Sequence, residues 1–386
     1  PETADGSVLG KADALVNWEA STKQAAATTL QVRLDDTKLE GQASVRQFDA
    51  PAIAFSLQVD QIDLDRYLPP VPKDPDAQKP AAESGESGEL PLEALRGLNL
   101  DGTVKVGNLK AYNLRSTDVN MRIKANNGVL RINPAGARMY DGQYRGDITV
   151  DASRDTARIA LDEHITGVRA GPLLKDLTGK EQLLGTAELH AQLTGSGVDV
   201  AQIQKTLNGN VSFSFLDGAV KGVNIAALIR NAQARLKGQP VPADDQPNQT
   251  DFAELRGSAT VTNGLVRNDD LSLKSPFLRI AGAGTASLPE ETIDYLLTTK
   301  IVGTLEGQGS AALGELKGIA VPVRIGGTFS KPTYKPDVSA ALSEAAKAKV
   351  EEKVEEKKEE LKEKLEQKLQ DKLGDQVGDK LKGLFK

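Results

Sequence analysis

Over most of its length this chain alternates apolar and polar side chains with a period of two, which restricts it to strands that bury one face and wet the other. From Ile53 through Phe55 and Leu57 to Val59, the intervening residues are Ala54, Ser56 and Gln58. Val104 and Val106 alternate with Thr103 and Lys105, and Val119, Met121 and Ile123 with Asp118, Asn120 and Arg122. Ile148 and Val150, then Ile159 and Leu161, continue the series. Ala187, Leu189, Ala191 and Leu193 are separated by Glu188, His190 and Gln192, and Val211, Phe213 and Phe215 by serines. Val261, Leu271, Leu273, Val321, Val323 and Ile325 extend it. A one-sided sheet must hide its apolar face against a second sheet, a helical layer, itself or a ligand.

Helical stretches are too few to form that layer. Asp199 caps a short helix through about Leu207, the segment from Val223 to Leu236 places Ile225, Leu228 and Ile229 at helical spacing, and a turn holds Leu173, Leu174 and Leu177. These read as crossovers between strand groups. Asn127-Gly128, Asp217-Gly218 and Asn263-Gly264 tolerate positive φ and predict hairpins. Two of them recur in a near-repeat, Asn127-Gly128-Val129-Leu130-Arg131 and Asn263-Gly264-Leu265-Val266-Arg267, which suggests a duplicated hairpin.

Open sheets above about ten strands curl or split. The fold predicted is therefore mainly β: a long curved antiparallel sheet with a few short crossover helices and a long C-terminal helix. Its apolar side is mostly Val, Ile, Leu and Ala, and aromatics are 4% of the chain, so the face is smooth. An ordinary aliphatic core and a trough for acyl chains both fit.

Composition divides the chain into a first β part (residues 1–68), a disordered linker or loop (69–91), a main β part (92–338) with a loop at 238–250, and a Lys/Glu-rich helix (339–386). The stretch Pro69 to Pro91 is rich in Pro, Ser, Gly, Glu and Lys. Such a segment buries too little apolar surface to offset its ordering entropy, so limited proteolysis is expected to cut there first. Early cleavage among the strands instead would contradict this division. Beyond Ala341 the tail carries 12 lysines against 12 acids and is predicted to be one helix to about Asp371, with Gly374 and Gly378 weakening it. Leu361, Leu365, Leu369, Leu373, Val377 and Leu381 recur every fourth residue, and each such step overshoots a turn by about 40°. The stripe winds around the helix, against a straight coiled coil and in favour of a helix on a curved surface or in water.

A net charge of −6 with both signs intermixed leaves no basic face, so nucleic acid is a poor partner. Without cysteine there are no disulfides, thiolate metal sites or thiol nucleophiles. The two histidines, His164 and His190, lack helical metal-site spacing, and His190 falls on the polar face of its strand. Asp60, Asp63 and Asp65 lack the glycine and terminal glutamate of a calcium loop and read as caps before Tyr67. Gly282-Ala283-Gly284 lacks the third glycine of a dinucleotide loop, and the stretch from Gly303 to Gly314 lacks the Lys-Ser or Lys-Thr of a phosphate loop. No catalytic residue, cofactor or metal is assigned, and no enzyme is expected. The chain opens at Pro1 without a charged or apolar leader and holds no run of about 18 apolar residues, so we expect a soluble piece of a longer protein.

Three phrases carry a family resemblance. They are Val59-Asp60-Gln61-Ile62-Asp63-Leu64-Asp65-Arg66-Tyr67-Leu68, then Phe215-Leu216-Asp217-Gly218-Ala219-Val220-Lys221-Gly222-Val223-Asn224, and Gly326-Gly327-Thr328-Phe329-Ser330-Lys331-Pro332. Over roughly residues 10–340 the chain resembles the AsmA family. The resemblance implies a taco-like β-groove in the periplasm, held to the inner membrane by an N-terminal anchor absent from this chain. It also implies phospholipid acyl chains as partners, envelope proteins at the groove ends, and a role in outer-membrane biogenesis. The alternating set from Ile53 to Val323 would be the groove lining; Arg66 and Tyr67 fit headgroup contacts at the rim and a fold signature of the family equally well, and they are not assigned to the site. The alternative is a periplasmic scaffold or assembly factor whose apolar face is an ordinary core.

Overall fold

The computed structural model describes residues 3–68, 90–241, 246–302 and 316–382. Seventeen strands form one sheet in chain order: β1 Ala12–Ala20, β2 Gln24–Leu34, β3 Thr37–Arg46, β4 Ala52–Asp63, β5 Leu100–Ala111, β6 Leu114–Asn126, β7 Val129–Met139, β8 Gly142–Asp151, β9 Ala157–Arg169, β10 Thr186–Gly197, β11 Asn208–Lys221, β12 Gln249–Thr262, β13 Leu265–Lys274, β14 Leu278–Ser287, β15 Thr292–Ile301, β16 Ala320–Gly327 and β17 Pro332–Pro336. Among the described residues no pairing closes β17 onto β1, so the sheet is open and curved. The helices are α1 Leu92–Gly97, α2 Ala170–Thr178, α3 Val200–Lys205, α4 Ile225–Leu236 and α5 Val338–Lys382.

The sheet departs from the expected antiparallel pattern at one place, because β4 and β5 run parallel. A parallel pair requires a long crossover that returns the chain to the starting end of the first strand. The connection from Asp63 to Leu100 serves that purpose and contains α1. Residues 69–89 of the expected linker, residues 242–245 of the second loop and residues 303–315 of the glycine-rich stretch lie outside the described residues.

Directly opposed residues of paired strands project from the same face, so register carries the apolar face from strand to strand. Val59 opposes Val106, which opposes Val119. Ile123, Ile132, Ile148, Leu161 and Leu193 form a second row, and Phe215, Leu255, Leu273, Ile280, Thr299 and Val321 a third. Two-residue turns hold these registers. Asn127-Gly128 and Asn263-Gly264 close the β6–β7 and β12–β13 hairpins with positive φ at all four positions. Tyr112-Asn113 and Tyr140-Asp141 do the same without glycine. Asp217-Gly218 closes no hairpin, since β11 runs straight through it. A side chain at Gly218 would strike the Leu184 backbone, so the glycine serves close approach. Gly282-Ala283-Gly284 lies within β14, where the ring of Tyr295 fills the space over both glycines.

The short helices occupy the two long edges of the sheet. Strand direction places α2, α4 and the start of α5 at the rim where β4 ends, and α1, α3 and both Asn-Gly turns at the other. The Asp199 carboxylate accepts the Gln202 N–H at 2.7 Å to start α3, and Asn224 accepts the Ala227 N–H at 3.0 Å to start α4. Helix α4 does more than cross over. Its Ile225 and Ile229 join Phe252, Leu255, Leu273, Ile280, Leu297, Val321 and Val323 in the main core, together with Val338 and Ala341 from the first turn of α5. Beyond that turn Val350, Val354, Leu361 and Leu365 are exposed, so this part of α5 stands in water. The helix continues past Gly374 and Gly378 to Lys382.

Candidate functional site

The candidate site is the apolar face over β4 to β11, together with the rim beside it. All the alternating residues singled out above lie in strands, and none of them is fully exposed. Val59, Val106, Val119, Val261, Leu273, Val321 and Val323 are buried. Ile53, Phe55, Leu57, Val104, Met121, Ile123, Ile148, Val150, Ile159, Leu161, Leu189, Val211, Phe213 and Phe215 are half-exposed. The division follows position. Leu273, Val321 and Val323 lie beneath α4 and the first turn of α5, whereas the half-exposed residues lie on β4 to β11, with Phe213 and Phe215 packed at the edge of that core. Val59, Val106 and Val119 are covered by their own neighbours, among them Leu39, Val104 and Met121.

The Asp-rich phrase after β4 builds the rim. Asp63 accepts the Asp65 N–H at 3.1 Å and caps a single 3₁₀ turn, Leu64–Arg66. Arg66 pairs with Asp5 at 2.8 Å and Asp36 at 3.3 Å, while the Tyr67 hydroxyl donates to Asp35 at 3.0 Å. Lys110 bridges Asp63 and Asp65 at 3.0 and 3.4 Å. Asp65 accepts the N–H groups of Tyr112 and Asn113, and Asp60 those of Lys38 and Gln61. These bonds lock the β2–β3 and β5–β6 turns to the end of β4 and leave the carboxylates engaged with protein donors. Hydrogen bonds from Ser7, with Arg66 adding to them, hold Asp5 down to about 2.

Beside this cluster opens a cleft of about 1390 Å³, walled on one side by Pro172, Lys175 and Asp176 of α2. Arg66, Lys110, Arg115, Arg138 and Lys175 line it together with Asp36, Asp63, Asp141, Asp176 and Glu181, so both signs face it. Tyr140 fixes α2 there by donating its hydroxyl to Asp176 at 2.9 Å.

On β8 and β9 two polar side chains, Tyr144 and Glu163, interrupt the apolar face. Glu163 falls between Leu161 and Ile165 in the inward phase of β9, and Tyr144 opposes Ile165 from β8. Their carboxyl and hydroxyl groups meet over Gly146, where any side chain would collide with both. Burial raises the Glu163 carboxyl above its ordinary value, and Tyr144 is raised too, by burial first and by the carboxylate beside it. A carboxyl raised in the folded state contributes stability that is complete below its unfolded value, near 4.5, and is lost as pH rises through the folded value. Glu163→Gln is therefore expected to match the parent in urea unfolding at acidic pH and to exceed it at neutral pH. Equal midpoints at both would remove burial as the dominant influence.

A family model described as the AsmA family matches residues 1–271. The chain is 24% identical over 348 residues to Protein AsmA of Escherichia coli (strain K12), covering 87% of this chain and 56% of that protein. It is 23% identical over 228 residues to AsmA family protein YhjG of the same organism, covering 56% of this chain and 29% of that one. The chain thus spans about half the length of the first relative and less than a third of the second. No solved structure matches. No described helix is long and apolar enough to cross a membrane. The matched region includes the phrases Val59 to Leu68 and Phe215 to Asn224 and covers well over half of the 386 residues, so the chain belongs to the AsmA family.

Proposed function

We propose that this chain shields phospholipid acyl chains on the apolar face of its sheet, as part of a periplasmic envelope protein that supports outer-membrane biogenesis. The carrying observation is the contrast along one face: half-exposed aliphatics over β4 to β11, and a helix-covered core only farther on. Exposed aliphatic area of that extent is unfavourable in water and gains from covering by hydrocarbon. Seventeen described strands at the usual spacing give a sheet about 75 Å long, and β4 to β11, with 10–14 residues each, are wide enough to curve around an acyl chain. The mixed charges that line the rim cleft suit a zwitterionic headgroup.

On this reading the protein moves or shelters lipid and breaks no bond, so it has no catalytic residue. Inner-membrane attachment belongs to a segment outside this chain, and envelope proteins would meet the groove ends. The core beneath α4 favours a second reading for that region alone, a scaffold with an ordinary interior. Mass spectrometry of lipid co-purifying with the chain tests the proposal. Stoichiometric phospholipid supports it, and a lipid-free, fully folded protein that takes up none from vesicles would overturn it.

A further inference from the structure

The chain has two histidines, and strand pairing sets them face to face, His164 on β9 against His190 on β10. Asp162 precedes His164 by two residues and so projects from the same side of β9. This is the outer side, because Leu161, Glu163 and Ile165 alternate with them onto the apolar face. The two rings stack with centroids 4.0 Å apart at 15°. Asp162 Oδ1 lies 2.9 Å from His190 Nε2 and 3.1 Å from His164 Nε2. Its other oxygen accepts the Gln192 amide at 3.0 Å, which fixes the carboxylate in orientation.

We propose that Asp162, His164 and His190 form a binding site for one divalent transition-metal ion of the Zn²⁺ class on the outer face of the sheet. One donor atom from each residue lies within 4.8 Å of the others. Zn²⁺ bonds of about 2.0–2.2 Å in tetrahedral geometry hold ligand atoms about 3.4 Å apart, so closing the site needs side-chain rotation only. The rings must unstack for both Nε2 lone pairs to converge. With the histidine side chains 46% and 41% exposed, nothing packed around them prevents it. An ion at that point takes the place of the present contacts between the two Nε2 atoms and Asp162 Oδ1.

The donor set decides the class of ion. Two imidazoles and a carboxylate select Zn²⁺, Co²⁺ or Ni²⁺ over Mg²⁺ and Ca²⁺, which prefer all-oxygen sites. Gln192 supplies the outer hydrogen bond that metal-ligating carboxylates usually have. All three ligands stand on paired strands, so no loop has to be ordered on binding. Arg145 opposes His164 from β8, and Asp147 opposes Asp162 there, so the flanking charges offset each other. Three protein ligands leave the remaining positions to water.

The test is calorimetric titration of the chain, without a polyhistidine tag, with ZnCl₂ at neutral pH. Ring resonances are followed by NMR in parallel. With two histidines in the chain, both signals are read without assignment by mutation. The expected result is one Zn²⁺ per chain, both rings shifting together, and no competition from Mg²⁺. His190→Gln and Asp162→Asn should each weaken binding by about tenfold or more, and Gln192→Ala by less. Melting curves check that each variant is folded; these are exposed positions, and the two conservative replacements keep side-chain size. The absence of saturable heat and ring shifts, or unchanged affinity in folded His190→Gln, would overturn the proposal.

Discussion

Leu57→Asp protein is expected to purify folded but without acyl chains, whereas Ile229→Asp should fail to hold its fold. Leu57 opposes Gly41 and Val104 on the half-exposed face. A carboxylate there reaches water, so the cost is mainly the lost partial burial of leucine, about 1–2 kcal/mol. For a bound acyl chain the same carboxylate has to be stripped of water or the lipid displaced, and retained phospholipid should fall sharply. Ile229 has no exposed surface and packs from α4 into the main core. An unpaired charge buried there costs about 3–5 kcal/mol, a large fraction of the stability of an ordinary domain. Phe213→Asp discriminates less well, because that ring also packs against the core beneath α4. Thermal melts and lipid extraction on the same preparations decide. A melt for Leu57→Asp as collapsed as that of Ile229→Asp would mean the whole face is a closed core and would end the trough reading.

Truncation after Lys349 is expected to remove about two-fifths of the helical circular dichroism and to leave the melting transition of the sheet in place. Helix α5 contributes 45 residues, more than the 6, 9, 6 and 12 of the other four helices together. Its Val350, Val354, Leu361 and Leu365 are exposed and take no part in the core. Truncation after Asp337 is a different experiment. It removes Val338 and Ala341 from the core and uncovers Ile229 and Val323, so a loss of about 2–5 kcal/mol is expected. Equal stability of the two truncations would show that the first turn of α5 does not hold the core.

What could be read from the residues depended on whether the deciding information was local. β4 was legible because Ile53, Phe55, Leu57 and Val59 alternate cleanly and nothing in their neighbourhood competes. β14 was not, because its inward positions Gly282 and Gly284 are filled by Tyr295 from the next strand, so the hydrophobic signal belongs to a different segment. β1 was equally silent: all nine of its residues are exposed, so it has no buried set to alternate. The Tyr112-Asn113 and Tyr140-Asp141 turns were hidden by the lack of glycine, and the parallel β4–β5 pair by the fact that strand direction is a property of topology.

The site divides in the same way. Alternation identified which residues share a face, and it could not say that α4 would cover one stretch and leave another open. Glu163 was visible as an acid in the inward phase of β9, a signal that the emphasis on aliphatics concealed. The His164–His190 pairing depends on register alone, since residues on separate strands carry no mark of which will be opposed.

The parallel seam between β4 and β5 has a kinetic consequence. Every other pairing is antiparallel and closes at the near ends of consecutive strands, across connections that run from two residues to the 27 that carry α4, against 36 between β4 and β5. At the seam this strand-by-strand closure stops. Strand β4 must wait with one edge bare until the chain has passed Leu100, while β5 can meanwhile begin a separate growing sheet with β6. The molecule is thus two independently nucleating meanders, β1 to β4 and β5 to β17, whose docking is the longest-range event in folding. The bare edge of β4 is then the surface on which another copy could pair wrongly.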